Sequence, residues 1–175
     1  MVRAVFPGTF DPVHFGHIDI ANRAARIFDE LIIAVYDNPP KNLLFSAAER
    51  LEMANKAFAD NERIHASIFS GLIVNYCRDV EANVIVRGLR VFSDFEHEFR
   101  MALANHRLDS DIDVVLLITS EEHSFLTGST VKEIASLDGD VTTLVPDFVH
   151  TALIKRFQDL GDDGPNVVPM TALRD

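Results

Sequence analysis

The sequence predicts an α/β fold built on a doubly wound parallel sheet, and three observations support this prediction. Short apolar runs rich in Val and Ile alternate with helical patterns along most of the chain. Several of these runs are apolar throughout, which is typical of parallel strands covered by helices on both faces. The repeated order of strand and helix favours right-handed crossovers. In such sheets ligands bind beyond the carboxyl ends of strands, so the residues that follow each strand are the functional candidates.

Five strands are predicted, with helices between them. The strands cover residues 3–6, 31–36, 64–69, 83–86 and 113–118. The helices cover residues 17–28, 46–59, 93–108, a shorter stretch from 130, and 146–157, and residues 72–78 are also helical in pattern.

The helix starts are predicted from periodicity and capping residues. In the first helix, Ile20, Ala24 and Phe28 recur at four-residue spacing and define one apolar face. Each of the next three helices begins with a capping box, in which side chains satisfy backbone donors of the first turn. The pairs are Ser46 with Glu49, Ser93 with Glu96, and Thr130 with Glu133. The last helix begins at Pro146, a residue type that suits a first helical turn.

Composition indicates one globular domain. The 175 residues are 47% hydrophobic and 25% charged, which is enough to bury a sizeable core. We expect the domain to span residues 1–158, and a flexible tail rich in Gly, Pro and Asp to follow at 159–175. A net charge of −11 argues against a nucleic-acid surface, which requires a basic face, but not against a small anionic ligand.

The single cysteine and the lengths of the apolar runs bear on the compartment. Cys77 is the only cysteine, so it forms no internal disulfide, and its apolar helical setting favours a buried side chain over a nucleophile. No basic region followed by an apolar one is visible at the N-terminus. No apolar run approaches the roughly 18 residues of a membrane span. We therefore expect a cytoplasmic protein without membrane contact.

The strongest functional motif occupies residues 8–17, between the first strand and the first helix. Such a junction presents unpaired N–H groups and the positive end of a helix dipole to an anion. Gly16 lets a phosphate approach the backbone, Thr9 offers a hydroxyl, and His17 is a donor able to hold a phosphate during transfer. A direct role and a solvated loop position are both open for His14. Asp11 is expected in a turn rather than as an acid catalyst.

Cations follow two further strands. Lys41 comes after the strand at 31–36, where a phosphate contact and a solvated side chain are both possible. Arg87 and Arg90 follow the strand at 83–86, and two bidentate guanidiniums suit a polyphosphate. The alternative for one of them is ion pairing with a carboxylate of the next helix. The carboxylates concerned are Asp94, Glu96 and Glu98.

Small and hydroxyl residues at 123–130 follow the last strand and lead into a helix. They predict a second helix N-terminus that can receive a phosphate or a nucleoside, although ordinary capping explains one of the hydroxyls. The histidines are scattered, and no set of His and Cys has the spacing of a zinc site.

Together these motifs resemble the bacterial phosphopantetheine adenylyltransferase family of the nucleotidylyltransferase superfamily. The matching segments are residues 7–12, 16–19, 39–41, 87–90, 94–96 and 131–133. They occur in the family's order and separations, up to about Phe157. The resemblance implies a Rossmann-like nucleotidylyltransferase fold and a cytoplasmic homohexamer. It implies transfer of the adenylyl group of ATP to 4'-phosphopantetheine with Mg2+, giving dephospho-coenzyme A and pyrophosphate in the penultimate step of coenzyme A biosynthesis.

The resemblance also implies residue roles. Thr9 and His17 would hold the α-phosphate of ATP, and Arg90 would hold the β- and γ-phosphates. Lys41 and Arg87 would bind the incoming phosphate. The remaining ATP contacts implied are Phe10, Gly88, Leu89, Glu98, His123, Ser124, Phe125, Leu126, Thr127, Gly128 and Ser129. Leu72 and Ile73 would touch the pantetheine arm, and no residue is implied as a metal ligand.

Some positions depart from the family pattern, and two other functions stay open. His14 stands where Thr is common, and His97 stands where Tyr is usual. One alternative is cytidylyl transfer to a small phosphate alcohol, against which the segments 87–90 and 94–96 argue. The other is a nucleotide-binding module without catalysis, which the intact set of Thr9, His17, Lys41 and Arg90 disfavours.

Overall fold

The computed structural model describes residues 1–39 and 42–161. Its strands are β1 (Arg3–Gly8), β2 (Glu30–Tyr36), β3 (Ile64–Phe69), β4 (Val84–Leu89) and β5 (Asp113–Ile118). They form one sheet in the order β3-β2-β1-β4-β5, and every neighbouring pair is parallel. The predicted parallel α/β sheet is therefore confirmed. The strand order reverses beside β1, which leads to β2 on one side and borders β4 on the other.

Six α-helices connect or follow the strands in the described part of the chain. They are α1 (Phe15–Ile27), α2 (Ala47–Ala57), α3 (Ile73–Asp79), α4 (Phe92–Leu108), α5 (Gly128–Ser136) and α6 (Asp147–Leu160). A short 3₁₀ turn, Glu121–His123, lies between β5 and α5. None of these helices is long and apolar enough to span a membrane.

The strands carry two apolar faces, as the continuous hydrophobic runs require. Along β1, Phe6 belongs to the larger core with α1, α2, α5 and α6, whereas Val5 belongs to a smaller core that includes residues of α3. Alternate side chains of a strand point to opposite faces, so one strand serves both cores. Cys77 lies in the smaller core, is fully buried, and has a pKa raised by burial to about 12. The expectation of a buried thiol is confirmed.

Two of the three predicted capping boxes are wrong. The box at the start of α2 is present, because Glu49 N–H donates to Ser46 Oγ at 3.3 Å and Ser46 N–H donates to Glu49 Oε2 at 2.8 Å. In contrast, α4 begins at Phe92, so Ser93 lies inside its first turn. The N-cap of α4 is Val91, without a side-chain cap, and the carboxylate of Asp94 in the first turn accepts from Arg90 N–H at 3.2 Å.

The last two helices do not begin where predicted: α5 begins two residues earlier and α6 begins one residue later. Helix α5 begins at Gly128, not Thr130, because Thr127 Oγ1 caps it by accepting from Thr130 N–H at 2.9 Å. Pro146 is the N-cap of α6 rather than its first residue. Helix α6 runs to Leu160, and the part of the predicted tail at 162–175 lies outside the described residues. The boundary at 158 stays a prediction.

Candidate active site

A cavity of about 630 Å3 opens at the carboxyl ends of β1 and β4. These two strands flank the point where the strand order reverses, which is where doubly wound sheets bind ligands. The structure brings twelve of the predicted site residues to this cavity. They are Thr9, Phe10, His17, Arg87, Gly88, Arg90, Glu98, His123, Leu126, Thr127, Gly128 and Ser129.

Of the six other predicted residues, the five that the structure describes do not line the cavity. Leu89 is the last residue of β4, and Ser124 and Phe125 lie in the segment before α5. Leu72 is half exposed at the N-cap of α3, where Ile73 is the first helical residue. Lys41 lies outside the described residues. The roles assigned to these six residues stay predictions.

The turn after β1 is tightly packed against the first helix. Phe10 has a φ of 51°, in the left-handed region that residues other than Gly rarely adopt, and its ring is 1% exposed. The ring lies edge-on to His17, with 4.8 Å between the ring centroids. A Cβ at Gly8 would lie 2.9 Å from the Phe10 ring, so this position requires Gly. The packing holds Thr9 beside the cavity.

Asp11 lies in this turn, as predicted, but its carboxylate also organises the surrounding segments. Leu44 N–H and Phe45 N–H donate to it at 3.0 and 2.9 Å. Lys132 Nζ donates to Asp11 Oδ2 at 2.7 Å, and both side chains are buried. The carboxylate therefore joins the turn to the start of α2 and to α5.

His14 and His17 are linked at the start of α1. His17 N–H and His14 N–H each donate to the Nδ1 atom of the other residue at 3.3 Å. Burial lowers the pKa of His14 to about 3, with smaller contributions from electrostatic interactions with Arg90 and His123. His14 is therefore neutral at pH 7. Because Nδ1 accepts in both rings, the Nε2 atom of each carries the hydrogen.

Arg87 is held by a carboxylate of α4. Its Nε and Nη2 atoms donate to the two oxygens of the buried Glu98 at 2.8 and 2.7 Å. Its Nη1 atom donates to the carbonyl oxygen of Pro7 at 2.8 Å. A guanidinium has five N–H bonds, so three such contacts fix its orientation and leave donors for a phosphate.

Arg90 is also paired with a carboxylate of α4. Its Nε and Nη2 atoms donate to the two oxygens of Asp94 at 3.0 and 3.2 Å. Burial raises the pKa of Asp94, but the hydrogen bonds and charge of Arg90 outweigh it and hold this pKa below its usual value. The sequence left ion pairing open for one of the two arginines, whereas in the structure both are paired and both line the cavity.

The N-terminus of α5 faces the same cavity. Thr127, Gly128 and Ser129 line it at the positive end of the helix dipole. A Cβ at Gly128 would lie 2.9 Å from the carbonyl oxygen of Asp11, so the helix reaches the turn only with Gly at this position. This close approach brings a second group of backbone N–H donors to the cavity.

The segment after β5 is tied to α1. Ser120 Oγ donates to Asp19 Oδ2 at 2.7 Å, and Arg23 Nη1 donates to the same oxygen at 3.1 Å. Burial raises the pKa of Asp19, but hydrogen bonds from Ser120 and Arg23 outweigh it and lower this pKa. The contacts fix the segment that carries His123 relative to the helix that carries His17.

Several residues that line the cavity are not predicted from the sequence. These are Asp11, Ile20, Asn42, Ser93, Asp94, Thr119 and Lys132, with His14 and His97 left open. Lys132 and Asp94 stood in segments that resemble the family, which was the available signal. Asp11 also lies in such a segment, residues 7–12, but was expected only in a turn, and the remaining residues carried no functional signal.

The carboxylates at the cavity do not form a metal centre. Across residues 1–39 and 42–161, no group of three or more His, Cys, Asp or Glu side chains could hold a metal ion. Asp11, Asp94 and Glu98 are each paired with a cation, Lys132, Arg90 and Arg87 respectively. The chemistry of this donor set fits a cation that arrives on a polyphosphate rather than one held by protein ligands.

Comparison with known proteins defines the class and then the family. The family described as cytidylyltransferase-like matches residues 5–134, so the chain has the fold of the nucleotidylyltransferase class. A phosphopantetheine adenylyltransferase of Thermomicrobium roseum is 48% identical over 161 residues, covering 90% of this chain and 96% of the relative. The proteins of that name from Roseiflexus castenholzii and Dictyoglomus thermophilum are 51% and 46% identical, over 87% and 90% of this chain and 96% of each relative. The chain belongs to the phosphopantetheine adenylyltransferase family, and the resemblance noted in its sequence is confirmed.

Proposed function

We propose that this protein transfers the adenylyl group of ATP to 4'-phosphopantetheine, giving dephospho-coenzyme A and pyrophosphate. This is the penultimate step of coenzyme A biosynthesis. One observation carries the proposal beyond family membership. A single cavity at the reversal point of the sheet gathers a hydroxyl, an imidazole, two guanidiniums and two helix N-termini. Such a collection suits phosphates on both reactants.

The reaction requires positioning and charge stabilisation rather than a covalent enzyme intermediate. A phosphate oxygen of phosphopantetheine attacks the α-phosphorus of ATP in line. The new P–O bond forms as the bond to the β-phosphate oxygen breaks, and pyrophosphate leaves with that electron pair. The nucleophile is already an oxyanion, so no general base is needed, and catalysis depends on orientation and on donors for the developing charge.

Thr9 and His17 hold the α-phosphate in this proposal. The Phe10 ring contacts His17 and the turn places Thr9 at the same wall of the cavity. The hydrogen bond from His14 N–H to His17 Nδ1 sets the tautomer, so His17 presents Nε2–H as the donor. A donor fixed in advance stabilises the five-coordinate phosphorus without reorganisation.

The cationic side chains of the site bind different substrates in this proposal. Arg90 holds the β- and γ-phosphates, and Arg87 holds the phosphate of phosphopantetheine together with Lys41. The pairs with Asp94 and Glu98 support these roles, because they orient each guanidinium and leave N–H bonds for a ligand. The N-terminus of α5 and His123 contact the nucleotide, while Leu72 and Ile73 contact the pantetheine arm.

In the proposed reaction, Mg2+ binds together with ATP. Mg2+ is usually held by substrate phosphates together with few carboxylates, and it supplies charge neutralisation when bound there. We assign no residue of this chain as its ligand, because the carboxylates at the cavity are engaged by Lys132, Arg90 and Arg87. The protein's own cations bind and orient the phosphate groups.

We also propose that the protein assembles into a homohexamer and is located in the cytoplasm. An exposed stripe on α4 supports self-association, since Phe92, Phe95 and Phe99 are 91%, 41% and 50% exposed. Their rings follow one another with centroids 6.3 and 5.8 Å apart. Exposed apolar patches of this kind mark interaction surfaces. Sedimentation equilibrium tests the assembly, and a monomer at micromolar concentration contradicts it.

The deciding experiment measures pyrophosphate release from ATP with and without 4'-phosphopantetheine in magnesium buffer. Release that depends on phosphopantetheine, with dephospho-coenzyme A as the product, is the expected result. Release with CTP and a phosphate alcohol instead would favour cytidylyl transfer. Binding of ATP with no release from any acceptor would favour a binding module.

A further inference from the structure

Arg50 is a charged side chain with no exposure to solvent. It lies on α2, and within the described residues its side chain donates four hydrogen bonds, all to backbone carbonyl oxygens. Its Nη1 atom donates to Thr9 and Tyr36 at 2.7 Å each, Nη2 donates to Asp37 at 2.8 Å, and Nε donates to Phe45 at 3.1 Å. One guanidinium thereby joins the turn after β1, the end of β2 and the residue before the α2 cap.

Burying a guanidinium is unfavourable, and an apolar side chain of similar volume often serves stability as well or better. Burial lowers the pKa of Arg50, and the carboxylates of Asp11 and Asp37 oppose this change. Arginine stays protonated in proteins, so the buried group keeps its charge. What it provides that an apolar side chain cannot is a planar fork that fixes three backbone segments at once.

The segment that Arg50 holds includes the strained residue of the site. Phe10 has a φ of 51°, and conformations of this kind persist only where neighbouring contacts enforce them. Arg50 fixes the carbonyl of Thr9 on one side of Phe10, and Lys132 fixes the carboxylate of Asp11 on the other. Thr9 lines the cavity, whereas Arg50 is not among its lining residues. Any effect of Arg50 on the reaction is therefore indirect, and the Thr9 turn is the segment held by Arg50 that itself lines the cavity.

We propose that Arg50 is a positioning residue that sets the Thr9 turn for phosphate transfer. This inference rests on the proposed function. Its action is indirect: the guanidinium holds the Thr9 carbonyl, and this fixes the Thr9 hydroxyl beside His17. A lysine at position 50 keeps the charge but has one nitrogen, so it cannot reach three segments with the same geometry.

The first test compares Arg50→Lys with a matched control, Arg3→Lys. Arg3 also donates to a backbone carbonyl, that of Val80, but it lies at the start of β1, the end of the strand away from the cavity. We expect Arg50→Lys to lower kcat roughly 10- to 100-fold with little change in KM, because small displacements of a phosphate contact act on the transition state. Arg3→Lys should keep the wild-type kcat. Equal kcat in wild type and Arg50→Lys overturns the proposal.

A double-mutant cycle with Thr9→Ala distinguishes positioning from general damage. Where Thr9 has no hydroxyl, Arg50→Lys should lose most of its effect on kcat, since the group being positioned is gone. A full effect of Arg50→Lys in the Thr9→Ala background contradicts action through Thr9. Added guanidinium, below denaturing concentrations, should also restore part of the activity of Arg50→Ala. Where Arg50→Ala does not fold, the cycle with Arg50→Lys decides.

Hydrogen exchange supplies a test that does not require turnover. In Arg50→Lys, amides of residues 8–14 should exchange faster than in wild type, while those of β5 should not. Unchanged exchange at residues 8–14 overturns the inference whatever the activity. Failure of wild type to release pyrophosphate with phosphopantetheine overturns the proposed function instead, and this exchange test still decides whether Arg50 holds the turn.

Discussion

His14 and His17 each accept a hydrogen bond from the other's backbone N–H, and their rings stack with centroids 3.6 Å apart. The pair forms the cap of α1 and sets the tautomer of the imidazole that we assign to the α-phosphate. Two chemically identical side chains thereby take different roles. Both side chains line the cavity, but His14 is buried and neutral, whereas His17 is only partly buried and is the one that we assign to the phosphate.

Replacing His17 by Ala should remove the main donor to the α-phosphate. We expect kcat to fall roughly 100- to 1,000-fold, the scale of losing one oxyanion donor, with much less change in the Kd for ATP. Steady-state kinetics and ATP titration measure the two effects separately. His65→Ala is the control, because His65 is exposed on β3. Near-normal turnover of His17→Ala would exclude this role.

The lowered pKa of His14 predicts a pH-dependent stability. The unfolded chain binds a proton at His14 near pH 6.5, while the folded chain does so only near pH 3. The contribution of this residue is therefore complete above pH 6.5 and decreases by about 5 kcal/mol as the pH falls to 3. Unfolding by denaturant at several pH values should show a shallower decline for His14→Thr, in which Thr still caps the helix. Identical slopes for both proteins would contradict the buried neutral state.

Arg90→Ala should weaken ATP binding. Hydrogen bonds to charged groups contribute about 1.5–3 kcal/mol, so the Kd should rise roughly tenfold or more. Calorimetric titration with ATP measures the change. Arg100→Ala is a matched control, since Arg100 forms the same i to i+4 pair with Glu96 on the exposed face of α4. An equal Kd for wild type and Arg90→Ala would refute the contact with the β- and γ-phosphates.

Lys132→Met should destabilise the fold strongly. It leaves the buried carboxylate of Asp11 without its cation, and breaking a buried pair in this way costs about 3–5 kcal/mol. The free energy of unfolding should fall much less in Lys56→Met, whose pair with Glu52 is exposed. If both variants lose the same small amount, the Asp11–Lys132 pair is not important for stability.

The tail is expected to be dispensable. A chain that ends after Gly161 retains every residue of α6 and of the cavity that the structure describes. We expect its kcat and KM to equal those of the full chain in the pyrophosphate assay. A chain that ends after Phe157 removes the last turn of α6 and serves as the comparison. Loss of activity in the longer truncated chain would show that residues 162–175 take part.

The sequence predicts local features of this fold better than long-range pairs. The strands follow from continuous apolar runs, and the Ser46 cap follows from residues three positions apart. Ser93 shows the same pattern, but α4 begins at Phe92 and has no side-chain cap, so the pattern alone misplaces the start of that helix. Lys132 and Asp11 are 121 positions apart, and no local periodicity indicates such a pair.

The same difference between local and long-range features applies to the predicted site. Thr9 and His17 follow from the motif between strand and helix, and both line the cavity. The sequence offers Asp94, Glu96 and Glu98 as partners for one arginine, but pairing of both Arg87 and Arg90 depends on how α4 lies against β4. The burial of Arg50 is not predicted from the sequence pattern, because a charged residue on a helix is normally solvated. Only the converging carbonyl groups around it indicate why it is buried.

The single buried thiol provides an intrinsic probe of unfolding. Cys77 lies in the smaller core, and its raised pKa keeps it unreactive toward thiol reagents while that core is closed. Its rate of modification therefore reports how often the α3 side of the sheet opens. Because the chain contains one cysteine, each modified molecule records one opening of that face, and no engineered label is required.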